Sequence, residues 1–284
     1  MINFQSPKNE EMMEPFSVLM AVYDKENPTY FDESLESILV NQTLKPTELV
    51  LVCDGDLTSE LEDVILKYQA ICPGILKICR KKKGGLGKAL NFGLPKCTYE
   101  LVARADSDDI CKPDRFEKQI KLMYEHPEYG MISSWVDEFL ETPGDLQTKR
   151  KVPEHPKAVY KYAKSRCPVN HPAVLYRKSI VLNVGGYQED YFPEDYFLWI
   201  KMLQNGCVVY NIQESLIWFR FSPETIKRRG GWSYAKDEIC TQIKIYKLGF
   251  ISLPIFVKNI TIRPIIRLIP HRLRSWIYMK LLRE

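Results

Sequence analysis

The chain has 284 residues, 45% of them hydrophobic and 27% charged, which suits one large globular domain or one domain with an appended tail. A net charge of +4 is too small to argue for nucleic acid, and no uncharged apolar run approaches the roughly 18 residues that a membrane span needs. Eight scattered cysteines without a C-x-x-C pair, and four histidines without ligand spacing, exclude a disulfide or zinc framework and point to reduced thiols in the cytosol.

Residues 1–15 are polar and partly acidic, unlike a secretory signal, and read as a disordered leader. Residues 16–23, FSVLMAVY, form a continuous apolar run of strand length, as expected for a strand buried on both faces. A polar turn over 24–29 leads into a helix over 31–41, with Leu35, Ile38 and Leu39 at helical spacing. A second buried strand, 49–53, ends in Asp54-Gly55. A helix over 57–68 follows, then a short strand over 75–79, a helix beginning at 88–92 and a strand over 101–103. This alternation predicts an α/β fold with a mostly parallel sheet covered by helices.

At the end of that fourth strand, Arg104 precedes three carboxylates in four residues, Asp106, Asp108 and Asp109. Carboxylates so close repel unless a cation neutralises them. Asp-x-Asp at a strand's carboxyl end can aim two oxygens at Mg²⁺ or Mn²⁺, with substrate phosphates completing the shell. Taken alone, the same residues also make an ordinary solvated acidic turn. Position favours the first reading, because open α/β sheets bind ligands at strand carboxyl ends.

The stretch KKKGGLGKALNFG lacks the spacing of a Walker loop and of a dinucleotide fingerprint: Lys82 and Ala89 break the first, Leu90 the second. A glycine turn at a helix N-terminus beside lysines can still face an anion. A helix from Arg115 to about residue 126 is expected, then a strand from 130 into VDEFLE and a polar loop over 141–152. A helix over 158–163 precedes CPVNHPAVLYRKS. Tyr196, Trp199, Ile200 and Leu203 mark another helix, with Glu194 and Asp195 at its first turn, where carboxylates also serve as plain caps. Two closing strands, 208–212 and 216–221, complete the domain. Trp135 and Trp199 read as core or as sugar-stacking faces, and His171 as a side chain satisfied by local hydrogen bonds or one on an acceptor side.

In order, VLMAVY, LVCDGD, GGLGKALNFG, ARADSDD-x-x-x-PDRF and GGY followed by PEDYFLW closely resemble the family 2 glycosyltransferases, inverting enzymes of the GT-A fold that use nucleotide-diphospho-sugars. The resemblance covers residues 16–221. ARADSDDICKPDRFEKQ, SSWVDEF and NHPAVLYRKS are similar to bacterial enzymes of O-antigen, capsule and exopolysaccharide synthesis. It implies that Ala21, Val22, Tyr23 and Asp54 hold the base, usually uracil. The family often carries a second Asp at position 53, where Cys53 stands. Arg104 and the 85–91 loop, with Lys88 and Asn91, would lie near the nucleotide and diphosphate. Asp108 would bind Mn²⁺ or Mg²⁺, Asp106 would approach the ribose or the metal, and Asp109 would lend support. Asp195 would be the general base, with Glu194 and His171 on the substrate side.

The implied partners are a UDP-sugar donor, a lipid-linked glycan acceptor and the cytoplasmic membrane surface. The family's processive synthases carry Gln-x-x-Arg-Trp. Here Arg228-Arg229-Gly230-Gly231-Trp232 departs from it, which implies addition of one sugar. Residues 222–284 carry seven Lys/Arg from Lys258 onward interleaved with Leu, Ile, Trp276 and Tyr278. They read as a helical basic tail that either meets an anionic membrane or packs back on the domain. Two other classes share the α/β form: a non-catalytic nucleotide-sugar-binding partner subunit and a nucleotidyltransferase.

Overall fold

The computed structural model describes residues 14–189, 193–221 and 230–269; most of the expected leader, the Arg228-Arg229 pair and residues 270–284 of the tail lie outside them. Strands β1 (Phe16–Val22), β2 (Glu48–Asp54), β3 (Leu76–Lys81) and β4 (Leu101–Ala105) pair in parallel in the order β3-β2-β1-β4. β2 and β4 are buried along their whole length and β1 at all but one position, as strands covered on both faces must be. Leu19, Val50, Val52 and Val102 face one layer of core; Val18, Met20, Leu49, Leu51 and Ala103 face the other. Full burial of one such large apolar side chain contributes roughly 1.5–3 kcal/mol, so the two layers together fix where the strand ends sit.

The helices begin where local chemistry allows. α1 (Pro28–Leu39) starts with proline at its first position, and the Asn27 side chain accepts from the N–H groups of Thr29 (2.9 Å) and Tyr30 (3.4 Å). α2 (Ser59–Ile71) is capped by Thr58, and α3 (Leu86–Gly93) follows the glycine turn two residues earlier than its apolar spacing predicts. After β5 (Ile110–Cys111), α4 (Arg115–Glu125) is tied to the sheet from its first residue. The fully buried Arg115 donates from Nη2 to the Arg104 carbonyl at 2.6 Å.

Beyond β4 the sheet becomes mixed. β6 (Tyr129–Phe139), β7 (Lys149–Arg150), β8 (Leu175–Arg177) and β9 (Val208–Arg220) extend it in the order β4-β8-β6-β9-β5, with β7 on β6. β6 and β9 run parallel; the other pairs in this half are antiparallel. The two closing strands expected from the sequence are one strand, and Gln213 and Glu214 form an irregularity within it: Ser134 pairs with Ile212 and Trp135 with Ser215. α5 (Pro156–Ala163), α6 (Lys178–Asn183) and α7 (Tyr196–Gln204) cover this half.

α8 (Trp232–Lys247) and α9 (Leu253–Leu268) form an antiparallel pair that packs back on the domain. Ile245, Phe250 and Ile251 join the same core as Trp199. Asn259 Nδ2 donates to the Lys164 carbonyl and to Gln242 Oε1, each at 2.9 Å, and Arg263 Nη1 donates to the Ser165 carbonyl at 2.6 Å. The fully buried Glu238 holds the pair together, with Arg263 Nε on Oε1 at 2.5 Å and Arg267 Nη2 on Oε2 at 3.0 Å. Two of the tail's arginines are thereby used internally. Among the described residues no helix is long and apolar enough to cross a membrane.

Burial pushes the Glu238 carboxyl up, but Arg263 and Arg267 together outweigh it and hold the group below the usual range. Its contribution to stability is therefore complete at neutral pH and lost as the pH falls through that lowered value. Glu238→Gln leaves two buried cations facing a neutral amide and is expected to cost about 3–5 kcal/mol. A lowered urea midpoint at pH 7, with the difference shrinking in acid, is the measurement.

Candidate active site

The site is assembled at the carboxyl ends of β1, β2 and β4. β1 delivers Ala21, Val22 and Tyr23, of which Val22 is buried and the other two half-buried. At the end of β2, Cys53 points into the core, its thiol pushed up to about 11 by burial, while Asp54 turns toward the glycine loop. The Asp54 carboxylate accepts from Lys81 Nζ (2.6 Å), Gly84 N (2.9 Å) and Gly85 N (2.7 Å). In this geometry it organises the KKKGGLGK turn, and both of its oxygens are bonded within the chain. Lys83 completes the tie by pairing with Asp24 beside the Tyr23 ring. Lys88 stands exposed on the first turn of α3.

α3 lies directly against the segment that precedes α7. A Cβ on Gly87 would stand 2.2 Å from the Gln188 carbonyl oxygen and 3.3 Å from Glu194 Cβ, so only glycine permits this approach. One turn later, Asn91 Oδ1 accepts from Tyr187 N (2.8 Å), and its Nδ2 donates to the Tyr187 carbonyl (3.1 Å) and Glu189 Oε1 (2.7 Å). The whole Asn91 amide is committed to the backbone and to Glu189; it positions residues 187–189. Gly186, at φ +67°, admits the same amide, since a Cβ there would lie 2.4 Å from Asn91 Oδ1.

The acidic turn is built around Arg104, which is 1% exposed and pairs with Asp106. Glu26 joins from the first loop by accepting from Ser107 Oγ at 2.5 Å. Burial, with the negative charges of Asp106 and Glu26, pushes the Asp108 carboxyl up to about 7. Burial and the neighbouring Asp108 raise Asp109 well above the usual range. Asp109 Oδ1 accepts from Arg220 N at 2.9 Å, and its Oδ2 is buried without a partner among the described residues. Arg220 comes from the far end of β9. It donates from Nε to the Asp108 carbonyl (3.0 Å), pairs with Glu33 (2.6 Å), and lies over the Tyr30 ring at 3.7 Å.

A turn whose carboxyls are raised by burial and by one another's charge fits a divalent cation. Among the described residues no three His, Cys, Asp or Glu side chains are grouped to hold a metal by themselves. Asp106 and Asp108 would have to share such an ion with a ligand's phosphates.

On the other side, burial and the adjacent Asp195 push the Glu194 carboxyl up to about 8, against the pull of Arg104. Burial also raises Asp195, whose Oδ2 accepts from Trp199 Nε1 at 3.3 Å and lies 3.8 Å from Cys167 Sγ. His171 Nδ1 lies 3.7 Å from Glu194 Oε1, and its ring is flanked by Tyr187 and Trp199. Burial, with the charges of Arg104 and Arg150, holds the imidazole well below its ordinary value and so neutral. Arg104 is the common neighbour, paired with Asp106 and within electrostatic reach of Tyr187 and Glu194. Arg220, Glu26 and Tyr187 escape sequence reasoning. The one local signal for Arg220 is a cation among the apolar residues that close the sheet.

The site thus joins a mixed α/β sheet with carboxylates at its strand ends to a second acidic pair across one buried arginine. Residues 17–182 match the family model described as Glycosyl transferase family 2, and the chain belongs to that family. It is 46% identical over 269 residues to UDP-Gal:alpha-D-GlcNAc-diphosphoundecaprenol beta-1,3-galactosyltransferase of Escherichia coli, covering 95% of this chain and 97% of that one. It is 37% identical over 268 residues to the amylovoran biosynthesis glycosyltransferase AmsE of Erwinia amylovora, covering 93% and 98%. Among solved structures, S. aureus TarS 1-349 superposes with a TM-score of 0.64 at 18% identity, covering 94% of this chain and 75% of that one. The fold is GT-A, and the chain is a glycosyltransferase of the bacterial surface-polysaccharide type.

Proposed function

We propose that the enzyme moves one hexose, galactose first among the candidates, from a UDP-sugar to a lipid-linked diphosphate glycan with inversion at the anomeric carbon. The observation that carries this reading is the near full-length identity of 46% with an enzyme named for that donor and that class of acceptor. In a single displacement the acceptor hydroxyl attacks the anomeric carbon and its proton passes to Asp195. Burial raises Asp195, which makes it a better base, and the Trp199 indole fixes its orientation. Arg104, Lys88 and the N-terminal N–H groups of α3 would face the diphosphate, and Ala21, Val22 and Tyr23 the base. Mn²⁺ or Mg²⁺ held by Asp106 and Asp108 would supply Lewis-acid stabilisation of the departing diphosphate. His171, neutral and beside Glu194, belongs to the acceptor side.

The same reading sets the enzyme on the cytoplasmic membrane surface, where such an acceptor resides. α9 supports it with a different footprint from the alternating basic tail. Leu253, Val257, Ile265 and Leu268 are 46–56% exposed on it, with Lys258 exposed among them, and Trp232 at the start of α8 is 73% exposed. An apolar helix face with a cationic edge suits a headgroup layer.

Asp195→Asn is expected to lower kcat by about 10²–10⁴-fold with the UDP-sugar KM retained. Because Asp195 must be ionised to accept a proton, wild-type kcat/KM should fall as the pH drops through its raised value. That acid limb should lie above the ordinary aspartate range and be absent from the Asn variant. Asp108→Ala should abolish the Mn²⁺-dependent gain in UDP affinity in calorimetry while metal-free binding persists. In flotation with anionic vesicles, Val257→Glu/Ile265→Glu should stay with the soluble fraction where wild type floats.

A further inference from the structure

β7 supplies a cation that the reading above does not use. Its three-residue basic run, Lys149-Arg150-Lys151, alternates in direction as a strand must. Lys149 lies 3.3 Å from Asp137, and Lys151 stands 5.1 Å over the Trp135 ring, so both point to one face of the β6–β7 ladder. Arg150 pairs with Val136 and shares its face, the opposite one. Val136 packs there against Ala173, in the turn that begins with His171. Asn170 fastens the two segments, donating from Nδ2 to the Arg150 carbonyl at 3.1 Å and the Ser134 carbonyl at 2.8 Å.

The half-buried Arg150 therefore faces the His171 side, with no ion pair or side-chain hydrogen bond among the described residues. Its charge is felt there by three groups at once, Asp195, His171 and Cys167. The positive charge acting on the Asp108 turn is that of Arg104 instead. His171 Nε2, buried and without a partner among the described residues, is a second polar group left open in the same place. A guanidinium on a half-buried residue, without an ion pair among the described residues and on the side of the proposed base, is suited to an anion carried by the acceptor.

We propose that Arg150 binds the phosphate adjoining the acceptor sugar, so that the cleft holds two diphosphates, the donor's at Asp106 and Asp108 and the acceptor's at Arg150. The inference rests on the diphosphate-linked acceptor proposed above and adds the residue that recognises it. Arg150 thereby selects sugars attached to a diphosphate over the same sugars in simple glycosides.

The test compares two acceptors with the full-length enzyme: N-acetylglucosamine α-linked to a diphosphate with an alkyl tail, and the same sugar on the same tail without phosphates. Arg150→Met should raise KM for the diphosphate acceptor about 10- to 100-fold, the strength of a charge-assisted contact. The UDP-sugar KM and the rate on the phosphate-free glycoside should not change. Arg150→Lys, which keeps the charge but not the planar fork, should show a smaller rise in the same KM and decides the matter if the Met variant does not fold. Equal losses on both acceptors, a raised UDP-sugar KM, or no loss at all would overturn the assignment. A wild-type enzyme that transfers to neither acceptor overturns the acceptor reading itself and this inference with it, a result distinct from a defect confined to the variants.

Discussion

The interaction on which the site depends is the burial of one guanidinium among carboxylates. Arg104 lies inside the sheet, 1% exposed, with Asp106 against it and Glu194 in its field. A cation so enclosed is tolerable only because anions surround it, and those anions are tolerable at such density only because it is there. β4 and the approach to α7 are thus held to a common electrostatic centre, although almost ninety residues separate Arg104 from Glu194 in the chain. The balance is incomplete. Burial first, and then the neighbouring carboxylates, raise both Asp108 and Asp109 in spite of Arg104.

Around this centre the supports are steric and geometric. Gly87 lets α3 touch the Gln188 backbone, Asn91 grips Tyr187 from both sides, and Arg220 reaches across from the last strand to fix the acidic turn from behind. These contacts join segments distant in sequence, so each part of the site is held by residues that belong to another.

Much of this was legible in the sequence wherever a signal is local. Continuous apolar runs mark β1, β2 and β4 because burial on both faces leaves no polar positions, and the DSDD turn shows its own repulsion. What was not legible depends on distant partners. The three-residue strand β8 exists because β4 and β6 lie on either side of it. β9 looks like two strands because Gln213 and Glu214 interrupt the apolar pattern, yet the chain absorbs them and keeps pairing with β6. Asn91 has the composition of a ligand-binding residue and instead spends its amide on Tyr187, a partner 96 residues away. Glu238, a partner outside the basic stretch, draws Arg263 and Arg267 of the tail into an internal ion-pair cluster.

That helix pair also reaches inward. Lys244 on α8 donates to Gln188 Oε1 at 2.9 Å, and the N–H of Gln188 bonds to the carbonyl of Glu194 at 3.0 Å. The C-terminal helices and the acidic pair are therefore two hydrogen bonds apart. Exchanging this end of the protein would disturb the backbone contact between Gln188 and Glu194 as well as the surface of the helix pair.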